Sequence, residues 1–176
     1  MVIKAMEITL HIEKPIEDKS FFITGKLNFD FNYFIEKIEE GIKQEDNNNY
    51  KTNIIGSMTN YKFFLNDPYF QKISMNFIKY FDENLNLPAY KMEDAWGYKV
   101  GIFEYTKSHN HRGYCWSGAL YLNSHTQTLD FPQFNKKIKP EPGRFVLFPS
   151  WIKHECLRQI DEKNPKYGLS FNARFV

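Results

Sequence analysis

Met6, Ile8, Leu10 and Ile12 alternate with Glu7, Thr9 and His11. A period of two puts the apolar side chains on one face of an extended chain and predicts a half-buried strand. Phe21 to Thr24 predicts a second strand. The period then changes: Phe31, Phe34, Ile35, Ile38 and Ile42 share one helical face, so residues 31–44 predict an amphipathic helix. Asp30 stands where its carboxylate can cap the first turn. After a polar loop at 46–49, Asp67-Pro68 predicts another helix start, since proline at the first helical position loses no needed N–H. Phe70, Ile73, Phe77, Ile78 and Phe81 form its apolar face. From about Leu87 the pattern becomes short strands and turns, with strands predicted at 96–105, 117–123, 128–131, 144–149, 151–158 and 167–175. Such spacing predicts a mainly β sandwich or barrel with the helices packed outside it. One domain is expected over 1–176, with strands and supporting helices in 1–95 and the β core in 96–176.

Composition sharpens this picture in two places. The chain of 176 residues is long enough to bury a sizeable core. Its 17 Phe, 11 Tyr and 3 Trp favour strands and large buried areas. Charge excludes more than it suggests: 23 basic and 21 acidic residues are intermixed, which provides no specific signal for nucleic acid or a membrane surface. No apolar run is long enough to span a bilayer. Lys4 and Glu7 interrupt the N-terminal apolar stretch, so a signal peptide is not expected. Cys115 and Cys156 make no disulfide framework, and a reducing cytoplasm is the expected compartment.

The candidate chemistry begins at His109-Asn110-His111. On an extended strand end both rings point the same way. His154, at the end of Phe148-Pro149-Ser150-Trp151-Ile152-Lys153-His154, also reads as lying on a strand end. The intervening strands of a small barrel could bring the three together, and three imidazoles on one face can hold a divalent transition metal with positions left open. An isolated H-x-H pair is equally readable as hydrogen-bonded core histidines. His11 and His125 read as surface residues, and Trp151 as packing a bulge after Pro149.

The last predicted strand adds an anion site. Lys166, Gly168, Ser170, Asn172 and Arg174 alternate with Tyr167, Leu169, Phe171, Ala173 and Phe175. If the polar face is solvated, this is an ordinary edge strand. If it faces a barrel interior, Lys166 or Arg174 needs an anionic partner, because a buried unpaired cation is costly; a dicarboxylate co-substrate would supply one. Tyr105 and Tyr121 could set phenol hydroxyls on the same molecule, or serve as core aromatics. Cys156 shares strand parity with His154 and reads as a buried thiol. Arg144 could orient an acidic substrate or be a solvated strand residue.

Four motifs in order extend the reading: His109 to His111, then Ser117-Gly118-Ala119-Leu120-Tyr121-Leu122-Asn123, then Pro140 through Gly143 to Phe148-Pro149-Ser150-Trp151-Ile152-Lys153-His154, then Lys166 before Ser170-Phe171-Asn172. Over about residues 96–175 this run resembles the 2-oxoglutarate/Fe(II)-dependent oxygenases of marine bacteria and their phages. The resemblance implies a double-stranded β-helix, a jelly roll of the cupin-like kind. It implies Fe(II) held by His109, His111 and His154, and 2-oxoglutarate anchored by Lys166, with O₂ and a peptide or small molecule as reaction partners. A cytoplasmic protein, in the host cytoplasm if viral, is implied as well. Two positions depart from the wider superfamily. His111 stands where a carboxylate is usual, which makes the ligand set neutral. Lys166 and Gly168 stand where Arg and Ser are frequent, so the bidentate fork and one hydroxyl donor are missing. Two functions follow: an oxygenase hydroxylating a C–H bond, or a jelly-roll module with a three-histidine metal site that does not use 2-oxoglutarate. The loops at Asn47–Tyr50 and Ser124–Gln127 are expected to shape the entrance.

Overall fold

The computed structural model describes residues 8–12, 22–44, 53–84, 88–158, 160 and 163–176. The expectations for Met6, Glu7, Phe21 and the loops around 46–50 lie outside these residues. Strands β1 (Thr9–Ile12) and β2 (Ile23–Asn28) precede helix α1 (Phe31–Gln44). The two-residue strands β3 (Ile54–Ile55) and β4 (Ser57–Met58) lead to helix α2 (Pro68–Asn84). Then follow β5 (Tyr90–Val100), β6 (Tyr105–His109), β7 (Trp116–Tyr121), β8 (Leu129–Phe131), β9 (Lys136–Ile138), β10 (Arg144–Pro149), β11 (His154–Cys156) and β12 (Lys166–Phe175).

Both helices start where the sequence places their caps. Asp30 Oδ1 accepts the Asn32 amide at 3.1 Å. Asp67 Oδ1 accepts the amides of Tyr69 and Phe70 at 3.0 and 2.9 Å, and Asp67 Oδ2 accepts the Tyr33 hydroxyl at 2.6 Å, which ties the two helix starts together.

The strands form two antiparallel sheets, a jelly roll of the double-stranded β-helix type. The seven-stranded sheet runs β1-β2-β10-β7-β12-β5-β4 and the five-stranded sheet β3-β6-β11-β8-β9. Alternation along the central strands sorts their side chains into two layers. Leu120, Phe145, Leu147, Leu169, Phe171 and Ala173 face outward under the helices, where they meet Phe34, Ile38, Phe70, Ile73, Phe77 and Phe81. Ala119, Tyr121, Val146 and Phe148 face inward and meet Leu129, Phe131, Ile152 and Cys156 between the sheets. At Gly97 the helix layer comes so close that an added Cβ would sit 2.3 Å from Ile38 Cγ1, so only glycine lets α1 seat there.

Two predicted strands change their bounds. The strand expected at 96–105 is two strands: β5 ends at Val100, residues 101–104 turn, and Tyr105 starts β6. The strand expected at 151–158 shortens to His154–Cys156, because the Ile152 amide closes a turn onto the Pro149 carbonyl at 3.0 Å. In that turn Trp151 is 61% exposed, so it packs no bulge. His125 is buried: its Nδ1 accepts the Gln127 amide at 2.9 Å, which leaves the Nε2 proton for the Asn164 carbonyl at 3.1 Å. Gln127 is buried too, its amide spanning the carbonyls of Glu104 and Leu157 at 2.9 Å each. These two residues of the 124–127 loop are thus used in joining loops rather than in an entrance.

Candidate metal and co-substrate site

Three imidazoles converge at one end of the space between the sheets. His109 is the last residue of β6 and pairs directly with His154, the first of β11. Between His154 and Cys156 the pairing steps from His109 to Thr106, two residues on β11 against three on β6. The extra residue is a bulge, and bulges re-aim side chains. It lets His109 and Thr106, of opposite parity, line the same pocket. His111 follows the strand end and is held there by its neighbours. Its amide donates to the Ser150 carbonyl at 2.8 Å, and Asn110 Nδ2 donates to the Trp151 carbonyl at 3.3 Å. The H-x-H segment is thereby pinned to the turn that leads into His154.

One ligand atom from each histidine lies within 4.8 Å of the others. Ring centres are 4.3 Å apart for His109 and His154, 4.8 Å for His109 and His111, and 5.1 Å for His111 and His154. Nδ1 of His109 is 2.7 Å from the Lys107 carbonyl, and Nδ1 of His154 is 3.1 Å from the Ile152 carbonyl. A carbonyl can only accept, so each Nδ1 carries the proton and each Nε2 keeps its lone pair free. Burial pushes the pKa of all three below the ordinary imidazole value. His111 falls to about 4, helped by the charge of a protonated His109, and His154 to about 3, helped by both neighbours. The three are therefore neutral near pH 7, the form that binds metal.

The pocket continues from the histidines toward Lys166. Lys166 is only 1% exposed. Its Nζ lies 3.5 Å from Cys156 Sγ and 5.9 Å from the centre of the Tyr98 ring. Among the described residues no carboxylate pairs with it. Cys156 is two residues beyond His154 on β11, about 6.6 Å at the rise of a strand. The Tyr121 hydroxyl and the Trp96 indole N–H also face this pocket, and neither has a hydrogen-bond partner among the described residues. Such orphaned donors are rare in a folded interior. The alternation of β12 explains where Lys166 goes: Lys166, Gly168, Ser170 and Asn172 face the pocket side while Leu169 and Phe171 face the helices.

Of the sequence candidates for the co-substrate, Lys166 and Tyr121 line the pocket and two do not. Tyr105 alternates with Thr106, so it faces away, its ring 5.1 Å from the Arg158 guanidinium. Arg174 lies past the irregularity between Asn172 and Ala173, exposed, 5.3 Å over the Tyr114 ring. Arg144 pairs with Glu141 at 3.2 Å. Ser117, Ser150 and Asn172, motif residues with no expected role, bond to one another, and Tyr98, outside the motifs, lines the pocket. Ser117 Oγ donates to Asn172 Oδ1 at 2.7 Å and lies 2.8 Å from Ser150 Oγ, which then donates to it. Tyr98 pairs with Gly168 across β5 and β12, and a Cβ at 168 would lie 2.3 Å from the Tyr98 hydroxyl. The missing hydroxyl at 168 is thus replaced in space by a phenol from the next strand. Its signal in the sequence was the parity of Trp96 and Tyr98.

No protein-family model and no curated protein sequence matches the chain. Solved structures do. A viral collagen prolyl hydroxylase from Paramecium Bursaria Chlorella virus-1, in complex with 2-oxoglutarate, superposes with a TM-score of 0.65 at 16% identity, over 83% of this chain and 90% of that one. HygX from Streptomyces hygroscopicus, bound to nickel, 2-oxoglutarate and hygromycin B, gives 0.64 at 9% identity, over 88% of this chain and 83% of that one. A prolyl-4-hydroxylase from Pseudomonas putida gives 0.61 at 15% identity, over 83% and 86%. The fold is that of the 2-oxoglutarate/Fe(II) oxygenases. In this chain that fold carries three neutral histidines at one end of its pocket and a buried ammonium farther in.

Proposed function

We propose that the protein is a non-haem Fe(II)- and 2-oxoglutarate-dependent oxygenase that hydroxylates a C–H bond of a peptide or small molecule. One observation bears most of the weight. A buried, carboxylate-free ammonium and an orphaned phenol share a pocket with three convergent, neutral imidazoles. A buried cation without a counter-charge costs several kcal/mol, so the site is built for an anion. A dicarboxylate that reaches the histidines with one end and Lys166 with the other satisfies both ends at once. The 2-oxoglutarate of the viral prolyl hydroxylase and of HygX supports this choice of anion. The two kinds of substrate follow the peptide held by a Trichoplax adhaerens prolyl hydroxylase and the hygromycin B held by HygX.

The residues fit the groups they would hold. His109, His111 and His154 would bind Fe(II) through Nε2 of at least the two whose Nδ1 is taken by a carbonyl. Bound iron supplies the activation of O₂ and the oxidising power for the C–H bond. Everything else falls to the chain. Lys166 and Tyr121 donate to the far carboxylate and fix its depth in the pocket. Phe148 and Leu129 line the space and keep it dry, which strengthens those hydrogen bonds. Ser117, Ser150 and Asn172 form a bonded cluster that ties β7 and β12 to the turn after β10. The exposed Trp151, on the turn before His154, offers an apolar surface beside the mouth for the substrate.

The test is anaerobic addition of 2-oxoglutarate to the Fe(II)-loaded protein. A weak visible charge-transfer band that saturates with 2-oxoglutarate is expected. Iron binding without that band would reassign the protein to a three-histidine jelly-roll module that does not use 2-oxoglutarate.

A further inference from the structure

Among the described residues the one sulfur lining the pocket, that of Cys156, stands against its one buried cation, Lys166. Cys156 is 6% exposed and lines the pocket, and Lys166 Nζ donates to its sulfur at 3.5 Å. A buried structural cysteine is ordinarily inert. This one differs because, among the described residues, its neighbouring ammonium has no carboxylate, and the hydroxyl of Tyr121, a residue 1% exposed in the same packed cluster, has no hydrogen-bond partner. Lys166 Nζ donates to the sulfur and the Tyr121 hydroxyl belongs to the same pocket, so an oxygen atom placed on the sulfur would accept from both. The second cysteine makes the contrast. Cys115 is more exposed, but its thiol is already engaged, donating to the Ala173 carbonyl at 3.1 Å.

We propose that Cys156 is a peroxide-oxidised thiol whose sulfenic acid takes the place of the co-substrate's far carboxylate at Lys166 and Tyr121. Oxidation of this one atom then closes the co-substrate site. This rests on the reading of Lys166 as the carboxylate anchor. The oxidant is hydrogen peroxide, small enough to enter along the pocket. The sulfur attacks one peroxide oxygen; an S–O bond forms, the O–O bond breaks, and the sulfur loses two electrons. The leaving oxygen takes a proton from the Lys166 ammonium, and the thiol proton returns to the amine. The products are a sulfenic acid and water. A sulfenic acid is returned to the thiol by added thiol reductant, so the closure is reversible.

The experiment uses the full chain, metal-free during oxidation so that no iron chemistry contributes. Protein is treated with hydrogen peroxide, trapped with a cyclic 1,3-dione and mapped by peptide mass. Separate portions are loaded with Mn(II), and 2-oxoglutarate binding is measured by calorimetry before oxidation, after it, and after thiol reduction. The dione is expected on Cys156 in preference to the more exposed Cys115. The 2-oxoglutarate Kd should rise on the order of tenfold or more and return on reduction, as expected when a buried charge loses its partner. Cys156→Ser, with Cys156→Ala as a second variant should the serine fail to fold, should bind 2-oxoglutarate equally before and after peroxide. If untreated protein does not bind 2-oxoglutarate, the reading of the pocket falls, and this proposal with it, before any oxidant is added. If it does bind, a label on Cys115 alone, affinity that peroxide leaves unchanged, or an equal loss in Cys156→Ser overturns the sulfenic acid proposal by itself.

Discussion

The two ends of the pocket handle charge in opposite ways. At the mouth, three imidazoles crowd together and each is kept neutral, first by burial and then by its neighbours. Farther in, Lys166 is buried more completely than any of them and has no counter-charge among the described residues. The mouth is preorganised, since two of its rings are already fixed by carbonyls within their own segments. The inner end gathers donors from β5, β7 and β12, and among the described residues the Trp96 indole and the Tyr121 hydroxyl there have no hydrogen-bond partner. Under the proposed function cation and anion would be sorted by position along one cavity, and each end could be broken without the other.

The largest expected effect is at the mouth. His154→Ala removes a ligand, and Mn(II) affinity should fall by more than about 100-fold, beyond what loss of a supporting contact to a ligand costs. A metal titration followed by calorimetry checks this. Lys166→Met comes next and acts on the inner end alone. The 2-oxoglutarate affinity of the Mn(II) form should fall by roughly 30-fold to 1,000-fold, about 2–4 kcal/mol, with metal affinity unchanged. Equal loss of both ligands in this variant would erase the distinction between the two ends.

The third effect is on stability. The folded-state pKa values of His111 and His154, about 4 and about 3, lie below the ordinary imidazole value of 6.5. Between those limits the unfolded chain binds more protons than the folded one, so stability falls as pH falls. The metal-free protein should hold its Tm above about pH 6.5 and lose on the order of a few degrees per pH unit below it. Thermal melts across pH 4–8 check the sign, and the double variant His111→Asn/His154→Asn should flatten the slope.

Tyr121→Phe sharpens the comparison with two opposite signs. Deleting an unsatisfied buried hydroxyl should leave the ligand-free protein as stable or slightly more so, by up to about 1 kcal/mol. It should also weaken 2-oxoglutarate binding by roughly threefold to tenfold, the worth of one hydrogen bond. The smallest effect expected is none: Tyr105→Phe and Arg174→Met lie off the pocket and should leave 2-oxoglutarate affinity unchanged within error of calorimetry.

Local periodicity determined a good deal of this protein. The helices at 31–44 and from Asp67-Pro68, the alternation of the last strand, and the shared direction of His109 and His111 are all short-range consequences of residue order. The caps and apolar faces of α1 and α2 were legible for the same reason: each needs only residues within a few turns. Tertiary structure decided what depends on a partner strand. A bulge in β6, set by its pairing with β11, chose Thr106 over Tyr105 for the pocket. An irregularity between β5 and β12 and the end of the pocket separated Arg174 from Lys166, although both belong to one alternating set. His125 reads as a surface histidine and is buried because a carbonyl and an amide from different loops meet its two nitrogens. The contact of Lys166 with Cys156, and the Tyr98 phenol filling the space over Gly168, exist only across strands. A one-residue change of register turns a side chain to the other face, so the sequence proposes candidates for each face and the pairing of strands selects among them.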